Sequence, residues 1–254
     1  MSVLIHQLGF EQRTFWRSRE AAVFIFVFPL LLYSLLGSIY SDEIEIDGGR
    51  YSSSDVLLAG LFGYGAANTG FAGLAIILVN RREMGLLKRL RSTPLSPAIY
   101  LTSVLVSMLF VFALQSVALL ALGGLAFGAG MPENRVGFVG SILLGAACFT
   151  GLGVGIASLV RSADGVSAVV NVIVLPMAFL SGSFGPTNDY PSFLEAVGDV
   201  LPLKYFLDVV NGVYLEGESL FADPTALAVI AAWGLAGLAV AWRRFGWVPR
   251  ERSS

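Results

Sequence analysis

Six long runs of apolar residues, none containing a charged side chain, limit what this chain can fold into. A helix needs roughly 20 apolar residues to cross the hydrocarbon core of a bilayer. The runs cover residues 22–40, 56–79, 98–122, 136–160, 166–183 and 225–242. We therefore predict an all-α, polytopic membrane protein with six transmembrane helices.

The composition indicates burial in lipid rather than a water-soluble globule. Apolar residues make up 56% of the 254 residues and charged residues 13%, whereas a soluble domain carries about 25% charged residues. We predict a single transmembrane domain over residues 1–254, with an interfacial elbow helix in 1–20 and an extracellular segment in 184–224. The first run is longer than a signal-peptide core, which has about 7 to 15 residues, so we expect it to be retained.

Basic residues gather on one side of the predicted membrane. Of the 16 lysines and arginines, 13 fall in the termini and in the loops after spans two and four, leaving only Arg50, Arg135 and Lys204 on the other side. Positive residues are retained on the cytoplasmic side of a membrane. We therefore predict a multi-pass protein of the plasma membrane with both termini in the cytoplasm.

The six runs lack the groups that chemistry or ion coupling would use. They contain no Asp, Glu, Lys, Arg or His, so no embedded acid, base or metal cluster is expected, and we predict that the chain is not an enzyme. Its two lysines precede Arg89 and Tyr205 rather than the Ser or Thr of a phosphate-binding loop. ATP-driven transport would therefore need ATP and Mg on a separate partner chain, and an ion-coupled carrier remains an alternative.

The loop after span two contains a predicted helix of about three turns. Asn80 is a candidate N-cap with Glu83 reaching back to it, and Pro94 disfavours helical angles at Thr93. The segment combines leucines with five positive charges. It fits two roles equally well from the pattern alone: docking a protein, or lying on anionic lipid headgroups.

The motif Arg82-Glu-x-Gly85, followed by a run from Lys88 to Pro97, resembles the loop between the second and third helices in type-2 permeases of ATP-binding-cassette exporters. Phe15–Arg19, Phe179–Ser183 and Leu201–Tyr205 extend the likeness over most of the chain, which is most similar to the drug-export branch. The resemblance implies a coupling helix that sits in a groove of a cytoplasmic ATPase subunit. It also implies two copies of that ATPase and a second permease copy, with a homodimer expected. The implied coupling residues are Arg82, Glu83, Gly85, Leu86, Leu87, Arg89, Leu90 and Arg91.

The sequence departs from that family's pattern at two places in the coupling motif. Arg81 stands where the family often has Glu, and Leu86 where it often has Thr. Polar contacts that the family makes through these two positions are therefore not carried over to this chain.

Two accessory elements are predicted outside the spans. Before the first span, Ile5, Leu8, Phe15 and Trp16 share one helical face while Glu11 falls elsewhere, which predicts an interfacial elbow helix. Between the fifth and sixth spans, the stretches 193–201 and 205–213 have helical spacing and are too short to cross the membrane. A re-entrant pair is therefore predicted, as in the family that the chain resembles.

Polar and aromatic side chains inside the spans are candidates for a translocation pathway. Buried amides need hydrogen bonds and therefore prefer a cavity or a helix interface to lipid. Bonding between helices is the competing interpretation for each of these residues. The candidates are Phe28, Tyr64, Asn68, Phe71, Gln115 and Asn171.

These patterns predict the permease subunit of an exporter that moves a drug-like or lipid substrate by alternating access. Export of a lipid-linked glycan is one alternative, and a non-transporting membrane subunit of another complex is a second. We expect the chain to be surrounded by membrane lipid, and we expect no nucleic-acid partner.

Overall fold

The computed structural model describes residues 3–40, 43–46, 49–92, 95–187 and 190–246. Most of this part of the chain is helical, which confirms the predicted fold class. The helices are α1 (Val3–Arg17), α2 (Arg19–Ile39), α3 (Ser53–Ala66), α4 (Leu74–Glu83), α5 (Leu86–Arg91), α6 (Pro97–Ala126), α7 (Arg135–Leu159), α8 (Ala163–Leu180), α9 (Ser192–Gly198), α10 (Pro202–Leu215) and α11 (Pro224–Arg244). A π-helical segment, Ala67–Gly73, joins α3 to α4. Strands β1 (Glu43–Ile46) and β2 (Gly49–Ser52) add a short antiparallel hairpin that was not predicted.

Six helical segments of the described chain are long and apolar enough to cross a bilayer. They are Ala22–Ile39, Ser53–Glu83, Ala98–Ala126, Arg135–Leu159, Ala163–Leu180 and Pro224–Arg244, and each overlaps one predicted run. The fifth helix ends at Leu180 rather than at residue 183, because a turn follows in which Gly182 has a φ of 85°. On the outer helices Leu31, Val172 and Leu235 are more than half exposed, so this surface is suited to lipid.

The second span lies at the centre of the bundle, and α7 packs directly on it. Gly153 meets the π segment so closely that a Cβ there would lie 2.5 Å from the carbonyl oxygen of Gly70. Gly151 and Gly155 face α11 instead, where a Cβ would lie 2.7 Å and 2.8 Å from the carbonyl oxygens of Gly234 and Gly237. The glycines of α7 therefore allow backbone-to-backbone packing on two sides, as small residues do in membrane bundles.

The two ends of the bundle are built from different loops. The end that we name the basic end comprises α1, residues 80–92 and the α7–α8 junction at 160–163. The end that we name the acidic end comprises β2 and residues 127–134, 181–187 and 190–223. Asp55 and Tyr214 both bond the backbone of Gly130, at 2.8 and 2.7 Å, and so tie three of its segments together.

At the acidic end, α9 and α10 occupy the two stretches predicted to be short helices. Pro202 is the first residue of α10, since its fixed φ suits the first helical turn. Phe206 and Val210 are fully buried, because α10 packs against α3, α7 and α11. How deeply the pair enters a membrane stays a prediction.

The predicted helix start at Asn80 is wrong. Asn80 lies inside the last turns of α4, which runs on to Glu83, and the short helix α5 begins only at Leu86. Gly85 separates the two helices with a φ of 70°, a left-handed conformation that glycine adopts without strain. The helix continues past Val79 because Arg81 and Arg82 find buried partners on neighbouring elements. Thr93 and Pro94 lie outside the described residues.

Candidate functional site

Arg82 joins the coupling motif to the end of α7. Its side chain is buried, and its guanidinium donates from Nη1 to the carbonyl oxygen of Ala157 at 2.8 Å and from Nη2 to that of Val160. The last carbonyls of a helix have no partners within the helix and carry its negative dipole end, so a buried cation is stabilising there. Arg82 therefore fixes α4 to the terminus of α7.

Glu83 makes the complementary contact with α8. Its Oε2 accepts a hydrogen bond from the backbone N–H of Ala163, the first residue of that helix. A carboxylate is favourable at a helix N-terminus, where the dipole is positive. The neighbouring residues Arg82 and Glu83 thus hold both sides of the α7–α8 junction. The end of α4 is therefore bonded to two further spans.

Arg81 connects the same segment to the elbow helix. Arg81 and Glu11 form an ion pair at 2.7 Å in which both side chains are at least nine-tenths buried. Arg81 also donates to the hydroxyl of Tyr100 on α6 at 3.0 Å, and Gln7 donates to Glu11 at 2.9 Å. The expectation that Glu11 lies away from the packed face of α1 is wrong, because this pair draws it inward beside Phe15.

The rest of the coupling segment divides into an inner and an outer face. Leu87 is fully buried and Leu90 packs against the core. Met84 is 69% exposed, and Lys88 and Arg89 are exposed beside it. We name Met84, Lys88 and Arg89 the outer coupling face. Gly85 and Leu86 lie between the two faces, and the side chain of Arg91 lies outside the described part of the chain.

The interior of the bundle holds a polar group where the second span is distorted. Thr69, in the π segment, donates to Oε1 of Gln115 on α6 at 3.0 Å. Nε2 of Gln115 and Nδ2 of Asn68 are buried without a hydrogen-bond partner among the described residues. Single π turns inside α-helices occur frequently at functional sites, and buried amide donors without partners are rare in folded proteins.

A row of aromatic rings leads from α2 to the end of α8. Phe28 lies 5.9 Å from Tyr64 between ring centroids, and Tyr64 lies 5.3 Å from Phe184. Phe24 extends the row at one end and Phe179 at the other, and both of these rings are about half exposed. We name these five residues the aromatic row. It places Phe28 and Tyr64, two of the predicted pathway residues, in contact.

Phe71 and Asn171 occupy different surroundings. Phe71 lines an apolar cleft of about 280 Å³ between α7, α8 and α11, together with Trp233. Asn171 is exposed on α8, whose buried face carries Val170 and Val174. An amide in a membrane-spanning helix needs a polar neighbour. The isolated chain therefore leaves Asn171 available to a second copy or to a polar cavity.

The family described as "ABC-2 type transporter" matches residues 8–215, from the elbow helix through α10. The chain belongs to this family. The resemblance predicted from the coupling motif is thereby confirmed, and the six apolar helices fit a multi-pass membrane protein of this family. Permeases of this family typically pair with an ATPase subunit.

Three relatives of this ABC-2 chain come from three different organisms. A protein of Escherichia coli (strain K12), described as a probable multidrug ABC transporter permease, YbhR, is 25% identical over 58% of this chain and 40% of its own length. YvfS of Bacillus subtilis (strain 168), described as a transport permease, is 21% identical over 81% of this chain and 83% of its own. The transport permease ycf38 of Cyanophora paradoxa is 28% identical over 61% and 55%. This chain thus spans less than half the length of YbhR.

Some residues of the ABC-2 permease site escaped the sequence analysis. Glu11 carried a usable signal, since it lies between Leu8 and Phe15 at the spacing of an apolar helical face, where an acid needs a buried partner. Phe184 lies just beyond the fifth run and carried no such signal. In the described residues no group of three or more His, Cys, Asp or Glu side chains is placed to hold a metal ion.

Proposed function

We propose that this chain is the membrane-spanning subunit of an ABC exporter that works as a homodimer with two ATPase subunits on its basic end. ATP and Mg bind to the ATPase chains, and the basic end faces the cytoplasm of a plasma membrane. The proposal rests on the division of the coupling segment into an inner face that packs on the bundle and an outer face that is exposed. Its buried Arg82 bonds α7 and its Glu83 bonds α8, while its outer coupling face presents one methionine and two cations to solvent.

Movement of the ATPase would be transmitted to the spans through direct hydrogen bonds and one ion pair. Closure of the ATPase pair would push on Met84 and Lys88, and α4 would move with α5. Arg82 and Glu83 would then shift α7 and α8 together, and Arg81 would move α1 through Glu11. Such a shift of packed helices is how two access states are exchanged in alternating access.

The substrate proposed for this permease is an amphipathic, drug-like molecule or a lipid. The aromatic row offers apolar faces, and the amides of Asn68 and Gln115 offer donors that have no partner in the described structure. Aromatic and apolar walls with a few placed polar groups are typical of small-molecule sites. The name of YbhR adds weight to a drug-like substrate, whereas a lipid-linked glycan is the alternative.

Changing the outer coupling face should separate the permease from its ATPase. We expect the double variant Met84→Asp, Lys88→Glu to retain less than about a tenth of the wild-type ATPase in co-purification from cells that express both subunits. The substitutions place two negative charges where the partner meets an apolar and a cationic side chain. Because both positions are exposed, the variant should melt at the wild-type temperature.

A matched control exists at the acidic end. Met131 and Arg135 have the same side-chain character and the same four-residue spacing, and both are exposed. Met131→Asp, Arg135→Glu should leave co-purification and coupled export unchanged. Equal loss in both double variants, or retention of coupled export by the Met84 and Lys88 variant, would contradict the proposed docking face.

Removing the amide of Asn68 should change transport without weakening the fold. In Asn68→Leu a buried donor without a partner is replaced by an apolar group of similar size, so we expect an unchanged or higher melting temperature. We expect export of a polar drug-like substrate to fall about tenfold, relative to Ser141→Ala, a variant at a buried hydroxyl that donates to Phe138 in its own helix. Wild-type export rates and specificity in Asn68→Leu would remove this residue from the pathway.

A further inference from the structure

The acidic end holds a vestibule of about 300 Å³ beside the aromatic row. It lies between α3, the turn after α8, α9 and α10. Gly60 forms part of its wall, one helical turn before Tyr64, and the turn after α8 supplies Ser181 to the wall and Phe184 to the aromatic row. A Cβ at Gly60 would lie 2.4 Å from the carbonyl oxygen of Ser183, so α3 and this turn meet backbone to backbone. The vestibule thus continues the proposed pathway.

The vestibule is lined by more negatively charged than positively charged side chains. Three carboxylates, Glu195, Asp199 and Asp208, line it together with a single ammonium group, Lys204. Lys204 bonds Asp199, and this hydrogen bond raises the pKa of the lysine, which stays charged at neutral pH. The lining therefore carries a net charge of about minus two at neutral pH.

A separate observation indicates that the vestibule receives a ligand. Ser181 lines it and is only 8% exposed, and its hydroxyl has no hydrogen-bond partner among the described residues. Buried hydroxyls are normally satisfied by protein or by a bound molecule. The N–H of a primary or secondary ammonium group in the vestibule would supply the missing partner by donating to the Ser181 oxygen.

We propose that this vestibule binds the cationic group of the exported molecule, so that the permease selects cationic amphiphiles. The proposal rests on the exporter function proposed above and narrows its substrate class. An apolar body would occupy the aromatic row while an ammonium group lies among Glu195, Asp199 and Asp208. The same charges repel phosphate, which disfavours a lipid-linked glycan carried on a phosphate group.

The test measures binding to the full chain in nanodiscs of zwitterionic lipid, without an ATPase. The probe is trimethylammonium-diphenylhexatriene, detected by energy transfer from the four tryptophans. Decylammonium, decanol and decyl sulfate compete against it, and the displaceable signal defines specific binding. We expect the cationic competitor to displace the probe at about tenfold lower concentration than decanol, and decyl sulfate to be weakest.

Two substitutions should shift the affinity for the probe in opposite directions. Glu195→Gln should weaken binding about fivefold, whereas Lys204→Gln should strengthen it about fivefold, because the first removes a negative charge and the second a positive one. Damage to the fold would weaken binding in both variants. Glu133→Gln, at an exposed acid of the same end that does not line the vestibule, should leave the affinity unchanged.

The outcomes separate this inference from the exporter proposal. Equal displacement by the three competitors, loss of affinity in both variants, or an equal effect of Glu133→Gln would each overturn the cation site. The exporter proposal would survive those results if ATP-dependent export of a neutral probe persisted. Opposite shifts in the two variants would support the cation site even if no ATPase co-purified with the chain.

Discussion

Gly153→Ala is expected to destabilise the folded chain by about 3 kcal/mol, and Gly153→Val to prevent its folding. The reason is the contact between α7 and the π segment. A Cβ at Gly153 would lie 2.5 Å from the carbonyl oxygen of Gly70 and 2.9 Å from that of Phe71. Both obstacles are backbone atoms at the centre of the bundle, so relief requires that a whole helix move.

The measurement is thermal unfolding of the purified chain in detergent, together with the yield of monodisperse protein. Gly124→Ala provides the control, since it adds the same methyl group within a span where the nearest atom would be 3.8 Å away. We expect that control to match the wild-type protein or to exceed it slightly, because alanine favours helix. Equal melting temperatures for Gly153→Ala and Gly124→Ala would contradict the close α7 contact.

The number and type of the spans could be predicted because they depend on local composition. In lipid, the backbone N–H and C=O groups of each run must pair with one another, and only a helix pairs them within one segment. The glycines of α7 are small residues of the kind that allows close helix packing. Their partners were not predictable, since Gly70 and Gly234 lie far from them in sequence and meet them only in the folded bundle.

The end of the second span was mispredicted for a related reason. Charges at Arg81 and Arg82 normally mark a helix leaving the membrane. Here Arg81 is paired with Glu11, 70 residues earlier in the chain, and Arg82 donates to carbonyls at the end of α7, 75 and 78 residues later. The local sequence pattern carries no information about such distant partners, and Asn80 was therefore predicted to be a helix N-cap. The π segment was missed for the same reason, since no residue in Ala67–Gly73 requires it locally.

The ion pair between Glu11 and Arg81 supports a second prediction of large effect. Glu11→Leu should cost about 3 to 5 kcal/mol of stability, because it leaves a buried guanidinium without its counter-ion, and Arg81→Met should cost a similar amount. The double variant should recover most of this loss, since an apolar pair of similar volume replaces the ions. A residual loss of about 1 kcal/mol is expected from the hydrogen bond between Arg81 and Tyr100.

Thermal unfolding of the wild type, the two single variants and the double variant forms a complete cycle that isolates the pair energy. Additive losses, with the double variant the least stable, would show that the two side chains do not interact.

The same four proteins also separate stability from transport. In the double variant, an apolar contact without a fixed geometry replaces the ion pair that links α1 to α4. We therefore expect it to fold at near wild-type stability, bind the ATPase and hydrolyse ATP, while export per ATP falls about tenfold, because α1 no longer follows α4.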